Sequence, residues 1–286
     1  MRATTPQTAQ SFSKWASAVL LLGAVTVSGQ ALAQDLYFNT YQPDTDSALA
    51  HPERCGKVCP EVDFRLIDTG NAWLDSRVNK AVIGALFVVG DENTTKRQAQ
   101  ALRVIATPTQ AQYKTAINAA IDSLVRENSA NIKARDNWQQ SDDIPVQVSA
   151  LPRYNGHRGM LEMLAVDSYT YLGGAHGVSN IQHFVFDTAR QRAVSLDDVL
   201  LPKQKPRLEA LARANFTAQL KRSKIDPVKH FKDWKFALTD NYTWTREGLL
   251  LQYQPYELAF YAFGAPSITI PYAKLQGIVR PEYLSH

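Results

Sequence analysis

The sequence has few cysteines, no cluster of charges of one sign and no long apolar run beyond its start. Only two of the 286 residues are cysteine, and 31 basic residues face 27 acidic ones. Nucleic-acid-binding domains usually carry a basic cluster or stripe, so the near balance of charge argues against such a partner. A membrane-spanning helix needs about 20 apolar residues, and no stretch after residue 27 provides them. We therefore expect neither a nucleic-acid partner nor a membrane span in the mature chain.

The common catalytic and metal-binding motifs are also absent. The sequence holds no His-x-x-x-His or His-Glu-x-x-His pair, no Gly-x-Ser-x-Gly motif and no glycine-rich phosphate-binding loop. We therefore predict no metal, no cofactor and no enzymatic activity. One alternative stays open, an enzyme acting on cell-wall glycans through Glu162, Glu257 or His176. It would require two carboxylates to converge at a defined separation.

The first 33 residues have the composition of a secretory signal peptide. Its parts are a positive flank, a short apolar core and a cleavage site of small residues, carried by Arg2 and Lys14, residues 15–27, and Ala31 and Ala33. We predict cleavage before Gln34 and a periplasmic protein with a net charge near +2, because both charges lost with the signal are basic. The residue directly after the cleavage site is Gln34 and not Cys, which argues against a lipid anchor.

Cys55 and Cys59 are separated by three residues. In an exported chain the oxidising compartment favours a disulfide. A metal site is the alternative, but zinc usually takes four ligands and no His lies at ligand spacing nearby. A catalytic redox pair has the Cys-x-x-Cys spacing, one residue shorter. We predict a disulfide between the two residues, within a loosely ordered lead-in of residues 34–58.

The predicted elements are helix-rich first and strand-rich second. Helices are predicted from near Asn71, over residues 109–138 and over residues 208–220, and strands over residues 62–66, 146–148, 159–171, 181–186, 235–238, 249–253 and 267–270. Residues 195–198 have the pattern of a capping box. This order predicts an α+β fold, an antiparallel sheet with helices packed on one face, in two sub-domains of residues 59–148 and 149–286.

Two short segments of the second sub-domain are the candidate sites. The first is a tight loop between two strands, whose glycines favour positive φ angles: Gly173, Gly174 and Gly177. The second is the aromatic-rich segment 256–264, which is predicted to form a bend that includes Gly264. Aromatic clusters serve cores, protein interfaces and sugar stacking alike. The candidate binding residues are His176, Tyr256, Glu257 and Tyr261, and a structural role is the alternative for each.

The same segments resemble the RsiV-like extracellular domain family. Residues 171–177 are similar to its Tyr-x-Gly-Gly-Ala-His-Gly motif, and residues 184–187, 195–200, 248–259 and 270–272 are similar to the segments that follow it. Residues 59–62 and 71–82 resemble more weakly the small domain that often precedes it. The resemblance implies a non-enzymatic fold, because the family's named member is an anti-sigma factor whose extracellular domain binds lysozyme. Related domains also precede peptidoglycan deacetylase domains.

These observations predict a periplasmic, non-enzymatic binding protein of the cell envelope. Its partner would be a lysozyme-like muramidase, which it would inhibit or neutralise, or peptidoglycan itself; a purely structural envelope role is a further possibility. An anti-sigma role is not expected, because about 14 residues precede the apolar core. Many muramidases are strongly basic, so an acidic patch would favour binding. The candidates for such a patch are Asp142, Asp143, Asp197, Asp198 and Glu257.

Overall fold

A five-stranded sheet lies at the centre of the molecule. The computed structural model describes residues 36–46, 53, 55, 58–88, 100–137 and 144–284. The predicted signal segment, Gln34 and the pair Asp142 and Asp143 lie outside the described residues. Within the ranges that are described, no helix has both the length and the apolar character that a membrane span requires.

Helices and strands occur in both halves of the chain. The strands are β1 (Asn39–Tyr41), β2 (Glu61–Phe64), β3 (Leu66–Asp68), β4 (Gln147–Arg158), β5 (Leu161–Tyr171), β6 (Val178–Asp187), β7 (Arg192–Ala193), β8 (Tyr242–Trp244), β9 (Gly248–Gln252) and β10 (Ser267–Pro271). The helices are α1 (Ala72–Leu86), α2 (Gln110–Asn137), α3 (Leu196–Val199), α4 (Lys205–Arg222), α5 (Pro227–Asp233) and α6 (Tyr272–Leu275). Residues 100–104 are also helical, and Tyr261–Phe263 and Pro281–Tyr283 form 3-10 turns.

The strands form three sheets. The central sheet has the order β2-β4-β5-β6-β7, in which β2 runs parallel to β4 and the other neighbours are antiparallel. A three-stranded antiparallel sheet has the order β10-β9-β8, and β1 pairs with β3. The predicted α+β class with antiparallel sheets is confirmed; the parallel strand β2 is an addition to it.

The two faces of the central sheet pack against two separate cores. Successive side chains of a strand point to opposite faces. In β5, Leu164 and Val166 join the core formed with α1 and α2, whereas Leu161 and Met163 join the core formed with α4 and the three-stranded sheet. Each face buries apolar area, which is the main favourable contribution to folding.

Two asparagines fix helix α1, one at its start and one against strand β3. Asn71 caps α1, since its side chain accepts a hydrogen bond from the Leu74 amide at 3.2 Å. Eight residues after Asn71, the buried Asn79 carboxamide accepts from the Ile67 amide at 2.7 Å and donates to the Ile67 carbonyl at 3.0 Å. Both backbone groups of Ile67 are thereby satisfied on the side that no strand covers.

Two predicted features of the second half had opposite outcomes. The capping box is confirmed, because Ser195 and Asp198 exchange side-chain-to-backbone hydrogen bonds at the start of α3. The predicted strand at residues 235–238 is wrong, since these residues form no strand. Phe236 and Leu238 pack partly buried against the second core, so their alternation reflects burial on one side without a pairing strand.

The lead-in of residues 34–58 contributes more structure than its polar composition predicts. Its residues 39–41 form β1, and Cys55 and Cys59 are joined by the predicted disulfide, with their Cα atoms 4.8 Å apart. The two proposed sub-domains share the central sheet, and their boundary at residues 148 and 149 falls within β4. Division into two sub-domains stays a prediction.

Candidate functional site

The glycine loop between β5 and β6 has the tight geometry that its sequence predicts. Gly173 and Gly174 adopt φ angles of 100° and 91°, a region that side chains disfavour. The Tyr171 hydroxyl donates to the Gly174 carbonyl at 3.1 Å. At Gly177 an added Cβ would collide with the ring of Tyr169. The loop therefore holds a fixed conformation with His176 exposed on it.

The aromatic-rich segment forms the predicted bend. Tyr256 has a φ of 69°, which is uncommon for a residue with a side chain. The Glu257 carboxylate accepts a hydrogen bond from the Gln254 amide at 2.8 Å, and the 3-10 turn that follows ends at Gly264, whose φ is 82°. Glu257 is exposed and not buried, so its structural role is limited to this local bond.

The loop and the bend meet through Tyr261. Its hydroxyl donates to the Gly177 carbonyl at 2.6 Å, and its ring stacks on the imidazole of His176, with centroids 3.7 Å apart and planes 14° apart. The ring of Tyr256 lies 5.7 Å from that of Tyr261. The structure thus brings three predicted binding residues into contact, and Glu257 directly follows Tyr256. We call His176, Tyr256 and Tyr261 the aromatic patch.

The aromatic patch is accessible to a large partner. Tyr256 is 51% exposed, and the nearby Phe260 is 43% exposed. His176 is exposed, while Tyr261 is half-buried beneath it. Large exposed aromatic side chains on a hydrogen-bonded backbone can contact a partner with little loss of conformational entropy.

The segments that build the patch contain no Lys or Arg. Residues 159–189 and 247–273 hold no Lys or Arg and five carboxylates: Glu162, Asp167, Asp187, Glu247 and Glu257. Asp167 pairs with Arg153 of β4 at 2.9 Å, and Asp187 pairs with Arg190 at the far end of the sheet. Glu257 is therefore the carboxylate nearest in sequence to the patch, next to Tyr256.

Two side-chain amides complete the outer edge of β6 behind the patch. The Gln254 carboxamide accepts from the Ile181 amide at 3.1 Å and donates to the Ile181 carbonyl at 2.7 Å. Asn241 accepts from the His183 amide at 2.7 Å and also donates to the Ile181 carbonyl. An uncovered strand edge can pair with another chain, and these bonds block it. Sequence reasoning missed both residues, because only the fold places them beside β6.

His183 lies on this edge strand and is half-buried. Its Nδ1 atom has no hydrogen-bond partner among the described residues. Burial lowers the pKa of His183 to about 4, with a smaller contribution from the charge of Arg153 that Asp167 opposes. The imidazole is therefore neutral near pH 7, which suits a structural position better than a proton-transfer role at that pH.

The carboxylates of the enzymatic alternative are not brought together. Glu162 is only 9% exposed and accepts a hydrogen bond from the Tyr154 hydroxyl at 2.8 Å. Tyr171, at the start of the glycine loop, lies nine positions further along β5, about 30 Å at the usual rise of a strand. Glycosidase carboxylates lie within about 9.5 Å of each other. Glu257 follows Tyr256 at the glycine-loop end of the sheet, so this spacing does not support Glu162 and Glu257 as a glycosidase pair.

The other acidic candidates have structural partners where they are described. Asp198 belongs to the capping box, and hydrogen bonds from Ser195 hold the pKa of its carboxyl below the usual value. Asp197 pairs with Lys205 at 2.9 Å. In the described part of the chain, no group of three or more His, Cys, Asp or Glu side chains could hold a metal ion.

Part of this architecture recurs in known proteins. Residues 197–273 match the DUF3298 family, which is described as a protein family of unknown function. The match runs from α3 into α6 and includes Tyr256, Glu257 and Tyr261, but it does not reach the glycine loop. The more specific resemblance to RsiV-like extracellular domains stays a prediction, and no curated protein matches the chain.

Two crystal structures have a similar fold. A DUF3298 family protein from Pseudomonas aeruginosa PAO1 is 21% identical, with a TM-score of 0.54, over 88% of this chain and 95% of that one. A member of the same family from Bacteroides fragilis NCTC 9343 is 16% identical, with a TM-score of 0.57, over 87% of this chain and 96% of that one. At these identities the similarity concerns the fold alone.

Proposed function

We propose that this chain is an exported, non-enzymatic binding protein of the cell envelope whose aromatic patch contacts a muramidase-type protein. The observation that carries the proposal is the stacked pair His176 and Tyr261 with the exposed Tyr256 beside it. Tyrosine is enriched among the residues that dominate protein–protein binding energy. The resemblance of the same segments to RsiV-like extracellular domains supports this class of partner.

The geometry of the patch favours a rigid docking surface. The hydrogen bond from the Tyr261 hydroxyl to the Gly177 carbonyl and the stacking of Tyr261 on His176 hold the glycine loop and the bend together before any partner binds. Rigid, preformed contact surfaces lose less entropy on association, and this raises affinity for a given area.

The charge around the patch favours a basic partner. Its two segments carry carboxylates and no Lys or Arg, so the segments themselves present no Lys or Arg to repel a strongly basic muramidase. Complementary charge mainly raises the association rate and the specificity. The predicted signal peptide supports an encounter in the periplasm, where wall-degrading enzymes act.

A titration against a basic muramidase tests the proposal. Purified protein starting at Gln34 is titrated against the muramidase, and binding and cell-wall lysis are measured in parallel. We expect saturable binding with a Kd of about 1 µM or tighter, as is usual for a specific protein interface, and less lysis as the complex forms.

Soluble peptidoglycan fragments provide the second arm of this experiment. Fragment binding without muramidase binding would contradict the proposed partner and identify the patch as a glycan-stacking surface. Release of new reducing ends from the fragments by this protein alone would contradict the non-enzymatic assignment.

A further inference from the structure

An arginine-lined cavity lies at the end of the central sheet opposite the aromatic patch. It has a volume of about 510 Å³ and lies where β5 begins and β6 ends. We call it the arginine cavity, and its charged lining includes Arg158, Arg190, Arg192, Arg280, Asp187 and Asp198. The exposed Glu282 also lines it. Four cations thus face three carboxylates.

Two of the four arginines are neutralised within the protein. Arg190 pairs with Asp187 at 2.5 Å, and Arg192 pairs with Asp198 at 3.2 Å. Burial alone would raise the pKa of Asp187, but the hydrogen bonds from Arg190 bring it below the usual value. Both carboxylates are therefore ionised, and each is committed to its own arginine.

Arg158 is held rigidly by neutral groups. Its guanidinium donates to the carbonyls of Tyr283 and Leu284 at 3.1 and 2.9 Å and to the hydroxyl of Tyr272 at 2.7 Å. It also stacks over the Tyr272 ring at 4.4 Å. No ion pair of Arg158 is seen among the described residues. A guanidinium has five N–H donors, and two of these remain after the three bonds.

The Arg280 side chain has more free N–H donors than that of Arg158. Its backbone amide donates to the Val199 carbonyl at 2.9 Å, and its Nε donates to the Asp198 carbonyl at 3.0 Å. These two bonds anchor the side chain at both ends of its stem. Within the described ranges its two terminal nitrogens have neither a hydrogen-bond acceptor nor a carboxylate partner, so four N–H donors stay available at the cavity.

We propose that the arginine cavity binds an oxyanion, a carboxylate or phosphate group, on the guanidinium groups of Arg280 and Arg158. A planar guanidinium donates two parallel hydrogen bonds to such a group, and both side chains are already positioned, so little entropy is lost on binding. The volume lies within the range of about 300–1,000 Å³ that small-ligand sites occupy.

This site is independent of the proposed muramidase contact. The cavity contains Leu161 at the first residue of β5, while the glycine loop follows Tyr171 at its last residue. Ten residues of strand span about 33 Å. Loss of one site should therefore leave binding at the other unchanged, and the two proposals can fail separately.

Calorimetric titration with two simple probes tests the proposal. Inorganic pyrophosphate represents the phosphate source and citrate the carboxylate source, at constant ionic strength so that general screening is the same in both. We expect saturable binding of at least one probe, and the probe that binds more tightly identifies the source. No saturable heat with either probe would overturn the proposal.

Matched variants assign the binding to the cavity. R280Q should lower the affinity for the probe that binds by about tenfold, which corresponds to about 1.4 kcal/mol of binding free energy. R222Q, which removes an exposed arginine at the end of α4, should leave binding unchanged. R280K keeps the charge without the planar fork, so its affinity should lie between those of the wild type and R280Q, and it serves alone if R280Q does not fold. Equal affinity of the wild type and the Arg280 variants would overturn the assignment.

Discussion

Glu257 combines a local structural bond with an exposed charge. Its carboxylate accepts the Gln254 amide while the side chain stays accessible beside the patch. We predict that Glu257→Gln keeps an acceptor for that amide and changes the free energy of unfolding by less than about 0.5 kcal/mol. The same change should slow association with a basic muramidase and reduce its dependence on salt, because it removes only the charge.

The comparison with Glu257→Ala separates the two contributions. This variant also loses the hydrogen bond, so it should be less stable by about 1 kcal/mol and melt about 2–4 °C lower. Thermal denaturation and stopped-flow association on both variants measure these effects. An unchanged association rate for both would remove Glu257 from the proposed interface.

His183 gives the fold a defined pH dependence. The pKa of His183 is lowered to about 4 in the folded protein, against about 6.5 in an unfolded chain. As the pH falls below about 6.5, the unfolded state takes up a proton first, so stability falls until the folded pKa is reached. We predict that His183→Gln flattens this fall by up to about 1 kcal/mol per pH unit. Urea denaturation at several pH values between about 4 and 7 measures it, and equal slopes would contradict the shift.

At the scale of single elements, one glycine permits the β9–β10 pairing. Gly248 lies opposite Pro271 in the register, and a Cβ there would collide with the Ile270 carbonyl. We predict that Gly248→Ala destabilises the protein by about 2 kcal/mol or more, as overpacking does. A Cβ at Gly84, in the last turn of α1, would meet no atom within 4 Å, so Gly84→Ala should stabilise by up to about 1 kcal/mol. Denaturant midpoints of both variants provide the test; similar destabilisation by both would contradict it.

Elements with strong local signals were predictable from the sequence. The helical spacing after Asn71 and the hydroxyl and acid of the capping box encode their own boundaries, and both elements begin where expected. Helix α5 was missed although it carries a local signal, since Asp226 caps it and Pro227 occupies its first position. Strands β1 and β8 have three residues each, too short for alternation to be recognised.

The contacts within the candidate site depend on long-range pairing and were not predictable. Composition singled out His176 and Tyr261, but their 85-residue separation gives no local reason for them to stack. The same holds for Gln254, whose carboxamide reaches Ile181 across 73 residues. Such contacts follow from how the second core places the bend against β6, which no local pattern encodes.

At the scale of the whole molecule, we predict that the chain is exported and that the mature protein begins at Gln34. Intact-mass measurement of a periplasmic extract tests this, and a product that retains residues 1–33 would contradict it. Ala33→Phe should block processing, because signal cleavage requires a small residue at that position, whereas the conservative Ala33→Gly should be processed normally.

The central sheet places two chemically different surfaces at its two ends. The aromatic patch lies at one end within segments free of Lys and Arg, and the arginine cavity lies at the other. This separation predicts that a basic protein partner and a small anion bind without competing. The α+β scaffold is shared with proteins of unknown function, and a fold alone does not specify a function, so the two surfaces are the features to test.

The affinity of the Tyr256→Ala variant for a basic muramidase tests the central claim most directly. Tyr256 is 51% exposed, and we expect its removal to leave the Tyr261 and His176 stack in place. We predict that the Kd of this variant for the muramidase is raised by about tenfold or more, with little change in the melting temperature of the protein. Tyr37→Ala, which removes an exposed tyrosine outside the patch, should bind like the wild type. Equal affinity of both variants and the wild type would contradict the assignment of the aromatic patch as the contact surface.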